Sequence, residues 1–232
     1  MLRMFLTLVS ILTLSATASA APIAGEFNIA GSLRATSNAI DFLNPSGGET
    51  GGFVTLEAGT GYFDGIVSTS LSSPYTGVAK DVIGNPTNVN DFLSSFSAPG
   101  YAGLSMDLGN IVAPTAVACT GSEAVNSSCS LGRFTLTNLG NASTSLAFVV
   151  RGSVEDSAVS DSLNQATGRY TTQTGHSISD VMAAFAGNGL TVSYSANFET
   201  AQVAEPSSLM LLGIALAASS AMRRSRRSAR RG

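Results

Sequence analysis

The chain reads as mainly β: an antiparallel β-sandwich with one or two short helices, followed by a C-terminal transmembrane helix. Three observations predict this. In the stretch Leu190 to Glu199, the residues Leu190, Val192, Tyr194, Ala196 and Phe198 alternate with Thr191, Ser193, Ser195, Asn197 and Glu199. Such strict period two marks a strand with one face buried and one in water. Next, 24 glycines are spread along a chain that has no Trp, with Asn and Ser clustered between short apolar runs. That is the punctuation of turns between strands. Finally, Ser207 to Met222 carries no charge and is closed by a cluster of arginines, the pattern of a membrane span with its cytoplasmic flank.

The elements follow in order. "GGFVTLEAG" and "GYFDGIVS" predict a strand pair turning at Gly59-Thr60-Gly61. "NVNDFLSSF" is read as a short helical turn. "GLSMDLGNI" sets Leu104, Met106 and Leu108 against Ser105 and Asp107, a strand. "RFTLTNLG" sets Phe134 and Leu136 opposite Arg133, Thr135 and Thr137, a second. "SLAFVVRGSVE" is apolar on both faces from Leu146 to Val150, which predicts a central strand. Asn138 to Thr144, rich in Asn, Gly and Ser, joins these last two as a hairpin connection. "SISDVMAAFAGNG" breaks the alternation and predicts a short helix over a sheet edge. Ser177 or Ser179 is placed to cap it, and Gly187 to end it in a left-handed turn. There is no internal repeat of fixed period, and residues 21–203 suffice for one domain with its own core.

The two ends are addresses. "MLRMFLTLVSILTLSATASAAP" has Arg3, an apolar run from Met4 to about Leu14, and small residues ending in Ala18-Ser19-Ala20. This is the plan of a signal peptide over 1–20, cut after Ala20. Residues 204–232 form the tail. Its apolar run over 207–222 is short against the roughly 20 residues a spanning helix takes. Arg223, Arg224, Arg226 and Arg227 follow, with Arg230 and Arg231 beyond. Positive charge beside a span stays cytoplasmic, so these arginines act as a stop to transfer and the body over 21–203 faces outward. Pro206 suits a helix start, where an N–H has no intrahelical partner.

"VAEPSSLMLLGIALAASSAMRRSRR" resembles the PEP-CTERM sorting signal of Gram-negative bacteria: a Pro-Glu-Pro-like motif, an apolar helix and an Arg cluster. Glu205, Pro206 and Ser207 stand at the motif, and Ala204 stands where the family usually has its first proline. The resemblance implies a partner, an exosortase, which is a membrane cysteine peptidase that cuts near the motif. It also implies a route: export through the inner membrane, transient anchoring by the tail, then the cell surface or extracellular matrix. The pieces "SLGRFTLTNLG", "FVVRGSVED" and "GRYTTQTGHSISDVMAAFAGNG" leading into "VSYSANFE" are similar to ectodomains found on such proteins. That implies a strand, a Thr/Gln-rich segment and a final sheet strand.

The formal charge of −3 divides unevenly. From the end of the signal peptide through Glu205 the basic residues are Arg34, Lys80, Arg133, Arg151 and Arg169, against all 15 acids, a net of −10. An acidic body repels phosphate backbones, which argues against nucleic acid as a partner. Cys119 and Cys129 are the two cysteines. Both follow the signal peptide and meet an oxidising compartment, so a disulfide is expected. They form no C-x-x-C pair and lack clustered histidines, so neither a redox pair nor a metal site is expected.

Candidate chemistry is sparse. His176 stands near Ser177 and Asp180, the types a general base would need, yet no G-x-S-x-G elbow occurs and His176 is read as a loop residue. Glu155, Asp156 and Asp161 make an acidic stretch without the alternating calcium-loop pattern, read as a solvated turn. Gly59 to Asp64 imitates a dinucleotide loop, but Asp64 takes the place of the third glycine and no helix pattern follows. Asn126 and Asn141 open glycosylation sequons. The expectation is a protein that is no enzyme and carries no cofactor: a surface or matrix component, structural or associated with extracellular polysaccharide. The alternative is a secreted hydrolase acting on glycans through two carboxylates at one cleft, about 5–10 Å apart.

Overall fold

The computed structural model describes residues 23–44, 51–67, 74–84, 88–159 and 163–201. The strands are β1 (Gly25–Ala35), β2 (Ala39–Phe42), β3 (Gly52–Gly61), β4 (Thr76–Ala79), β5 (Val82–Ile83), β6 (Val89–Ser94), β7 (Leu104–Ile111), β8 (Ser128–Leu131), β9 (Phe134–Gly140), β10 (Ser143–Asp156), β11 (Asn164–Thr174) and β12 (Leu190–Ala201). One helix, α1 (Ile178–Ala186), lies between β11 and β12.

The strands close on themselves. Their order runs β11-β12-β1-β3-β4-β6-β7-β10, and β10 pairs with β11 over Thr144–Val154 to complete the ring. Every one of these ladders is antiparallel. The sandwich expected from the sequence is thus corrected to a closed barrel. Alternation along each strand reports which face is buried, but not whether the last strand finds the first. Closure leaves the ring itself without an unpaired edge.

Two strands fork. β1 pairs with β12 along its whole length on one side, while on the other Gly25–Ala30 pairs with β3 and Leu33–Ala35 pairs with β2. In β10, Val150–Asp156 pairs with β7 and Ser143–Ala147 pairs with β9. Each fork carries a two-stranded flap, β2–β5 and β9–β8. Both flaps lie at the end of the barrel where β11 leads through α1 into β12. There the β11–β12 ladder stops at Thr171–Ser195, and α1 buries Ile178, Val181 and Phe185. The helix thus fills the gap between parting strands.

The interior is a line of rings. Phe63 meets Phe27 at 4.7 Å between centroids, Phe27 stacks on Phe198 at 5.0 Å, and Phe198 meets Tyr170 edge-on at 5.7 Å. Tyr170 stacks on Phe148 at 4.4 Å, Phe148 meets Phe134 at 5.5 Å, and Phe134 meets Phe185 of α1 at 5.1 Å. Such offset and edge contacts add to the area they bury. Gly168 makes room for this line, because a Cβ there would sit 2.3 Å from the Phe198 ring. β12 alternates buried and exposed along its entire length, as its sequence predicts. β10 is flanked on both sides, as the central reading of Leu146–Val150 requires. Asn141 and Ala142 form the β9–β10 turn with φ of 50° and 54°, the left-handed pair that a tight hairpin needs.

Several local expectations are corrected. "GYFDGIVS" is no strand: Phe63 N–H donates to Thr60 O, Asp64 N–H to Gly61 O and Ile66 N–H to Phe63 O, so tight turns follow β3. β3 pairs instead with β1 and β4. "NVNDFLSSF" contains β6 rather than a helical turn. Its pairing to β7 slips between Val89 and Leu93, where Asp91 has φ 51°, so Phe92 and Leu93 are both buried. A bulge of this kind erases the period-two signal. Ser177, not Ser179, caps α1. Gly187 ends it at φ −103°, and the left-handed glycine is Gly189, φ 87°, whose N–H reaches Ala184 O. The signal peptide and the apolar run at 207–222 lie outside the described residues. Among those described, no helix is long and apolar enough to cross a membrane.

Candidate functional site

Three polar constructions stand out around the barrel. The first is the edge of the β9–β8 flap. Cys119 N–H donates to Ser130 O and Ser130 N–H to Val117 O, so the segment before the loop lies along β8. The expected disulfide forms between Cys119 and Cys129, with Cα atoms 4.8 Å apart, and ties that segment to the strand. Within the loop, the Glu123 carboxylate accepts from Thr120 N–H, Thr120 Oγ1–H and Gly121 N–H. The Thr120 N–H foremost holds this carboxyl below its ordinary range. Cys119, Cys129 and Glu123 place their donor atoms within 4.8 Å of one another. With the two sulfurs bonded to each other they offer no thiolate, so the set does not fit a metal.

The second is a groove of about 810 Å³ beside the β2–β5 flap, lined by Arg34, Asp41, Asn44, Asp81 and Ile83 among others. Arg34 Nη2 donates to Asp41 Oδ2 at 2.6 Å. Asp81 Oδ1 accepts from Phe42 N–H at 2.8 Å, which anchors the flap. Burial pushes the Asp81 carboxyl above its ordinary range, against the lowering effect of the Phe42 N–H. The two carboxylates therefore differ: one is matched to a guanidinium, the other is drawn toward its protonated form. Neither stood out in the sequence, because they are 40 positions apart and nothing local links them.

The third joins the two flaps. Arg133 occupies the two-residue turn between β8 and β9, and its Nη2 donates to the carbonyls of Gly84 and Asn38 in the other flap's connections. The sequence set Arg133 on an outward polar face; instead it is 9 % exposed. It belongs to the turn, not to the alternation of β9.

The other predicted residues are scattered. Asp180 and Ser177 complete a capping box: Ser177 Oγ accepts from Asp180 N–H at 3.2 Å, and Asp180 Oδ2 accepts from Ser177 N–H at 3.3 Å. Hydrogen bonding from the Ser177 side chain lowers the Asp180 carboxyl. Both neighbours of exposed His176 thus serve the helix, and its carbonyl accepts from Thr144 Oγ1. Asp156, read as part of a solvated turn, is 1 % exposed. It accepts from Tyr62 Oη at 2.7 Å and from Ala158 N–H at 2.9 Å. Burial first, and this bond second, raise the Tyr62 hydroxyl and keep it a donor. Tyr101 Oη donates to Tyr62 O at 2.7 Å, locking the turns after β3. Glu155 points outward, and Asp161 lies outside the described residues. Gly59 to Asp64 is a strand end and turn, and no helix occupies the described residues 65–67 that follow.

Glu205, Pro206, Ser207 and Arg223, Arg224, Arg226 and Arg227 also lie outside the described residues; for them the comparisons with known proteins speak. No curated protein and no solved structure matches the chain. The model of the PEP-CTERM protein-sorting motif matches residues 202–227, which include all of these positions. The chain thus carries a PEP-CTERM protein-sorting motif at 202–227, and such a motif implies processing by an exosortase.

Proposed function

We propose that this is an exported protein of the cell surface or extracellular matrix, whose barrel is a non-enzymatic structural module associated with polysaccharide. The motif at 202–227 carries the reading, because it supplies the route: transient anchoring by the apolar run, then release. The body suits the destination. It is acidic, it is stapled by a disulfide, and its interior is filled by rings. Its walls present Ser, Thr and Asn outward along β12, with Asn197 Nδ2 donating to Asn28 Oδ1 at 2.8 Å on the neighbouring strand. Rows of amides and hydroxyls are what sugar hydroxyls bond to. The experiment is extraction. Processed protein should remain with the surface polysaccharide of intact cells and pass into the medium when synthesis of that polysaccharide is abolished. Equal retention in both strains would contradict the polysaccharide association.

A second reading has its own observation, the two unlike carboxylates of the groove. A glycan hydrolase needs two carboxyls in unlike environments: here burial raises Asp81, while Asp41 pairs with Arg34. Under this reading the purified protein releases reducing ends from host polysaccharide and Asp81→Asn abolishes the release. No release by the wild type leaves the non-enzymatic reading in place.

A further inference from the structure

Arg133 is a buried cation with one half of its fork unused. A guanidinium taken out of water needs partners for its N–H groups. Nη2 has two, the carbonyls of Gly84 and Asn38. Nη1 is buried and has no partner. Among the described residues the ion pairs are Arg34–Asp41 and Lys80–Asp91, so no carboxylate answers Arg133. Clamping the two flaps explains Nη2 and leaves Nη1 and the charge unexplained.

Arg133 is also one of the residues lining a pocket of about 360 Å³, with Ser37, Asn38, Ile111, Ala113 and Gly132. Ser37 and Asn38 bring a hydroxyl and an amide; Ile111 and Ala113 bring an apolar patch. A pocket of small polar groups, one apolar face and an uncompensated cation fits a sugar that bears an anion. The acidic excess of the body works against a densely charged polymer but not against a single negative group drawn to one local cation. We propose that this pocket binds the carboxylate of an isolated uronic acid residue in an otherwise neutral polysaccharide. Arg133 is the anion anchor, and Ser37 and Asn38 bond the ring hydroxyls. The inference rests on the polysaccharide reading and names the kind of sugar.

The test titrates the ¹⁵N-labelled full chain in detergent with aldotriouronic acid, with neutral xylotriose and with inorganic phosphate. The acidic trisaccharide should shift the amides of Ser37, Asn38 and Gly132, and xylotriose should not. Arg133→Gln should weaken binding at least about tenfold, since a charged partner is removed. Arg133→Lys keeps the charge without the fork and should fall between. Should either variant lose its fold, the wild-type amide map still decides. An unchanged map at those three amides, or an equal response to xylotriose, overturns the proposal. So does an equal response to phosphate, which means an adventitious anion only. Binding of both trisaccharides elsewhere sinks the uronate pocket but leaves the polysaccharide reading standing. Binding of neither sinks the pocket, and surface extraction then judges the broader reading separately.

Discussion

β12 and β6 are both staves of the same barrel, yet they are built in opposite ways. β12 runs 12 residues, pairs with β1 over 11 positions and with β11 over seven, and alternates throughout. β6 runs six residues, touches β4 at two paired positions and β7 at two, and slips register between them. Backbone ladders on both sides hold β12, and its side chains only need to alternate. In β6 the ladder is broken, and two successive side chains, Phe92 and Leu93, turn into the core to hold it. A strand secured by ladders writes itself into the sequence as a period; a strand secured by packing does not.

The largest effect should come from violating the β12 period. Tyr194 is 4 % exposed with its ring 5.2 Å from Tyr170. Tyr194→Asp buries an unpaired charge and should destabilise by at least about 4 kcal/mol in chemical denaturation. A shift no larger than that of Ser195→Asp, expected within about 0.5 kcal/mol on the outer face, would show that β12 is not held in this register.

In β6 the same logic moves to side-chain volume. Phe92 is fully buried and meets Phe42 of the β2–β5 flap edge-on at 5.7 Å. Phe92→Ala should cost about 3–5 kcal/mol. A cost under about 1 kcal/mol would mean that ladders, not packing, secure β6 after all.

β8 is a third case, with a staple in place of a long outer ladder. Reducing Cys119–Cys129 should lower stability by about 2–3 kcal/mol, as expected for a closed loop of this length. Mass spectrometry with and without reductant and alkylation checks that the bond is present. Two free thiols in protein taken from the periplasm would contradict it.

The smallest effect separates the two strands at backbone level. Asp91 has φ 51°, a conformation that costs a side chain roughly 1 kcal/mol and glycine nothing. Asp91→Gly should be neutral within about 0.5 kcal/mol, whereas Ser193→Gly in regular β12 should cost about 1 kcal/mol. Equal costs would remove the distinction.

The same difference explains what could be read from the chain alone. β7, β9 and β12 were legible by their local period, β10 by its continuous apolar run and α1 by its cap. The closing pair β10–β11 was not, since nothing in either strand's sequence names its partner. Arg133 was misplaced because a turn residue beside an alternating strand borrows the strand's pattern. The Asp41–Asp81 groove was invisible for the same reason as closure: the two residues meet only after β2 and β5 pair. The tail was the most legible part, because its signal is linear: Glu205-Pro206, an apolar run, then arginines.

That linear signal is also where the account is most exposed. The proposed reading needs Glu205-Pro206 to be within reach of a membrane peptidase before the tail is released. The measurement is the C-terminal mass and the location of a chain in which Glu205-Pro206 is replaced by Ala-Ala, expressed in the native host. The account predicts full-length protein held in the membrane fraction, with its arginines still attached. Trimming and export at the wild-type level would contradict exosortase sorting and leave the tail as no more than an anchor.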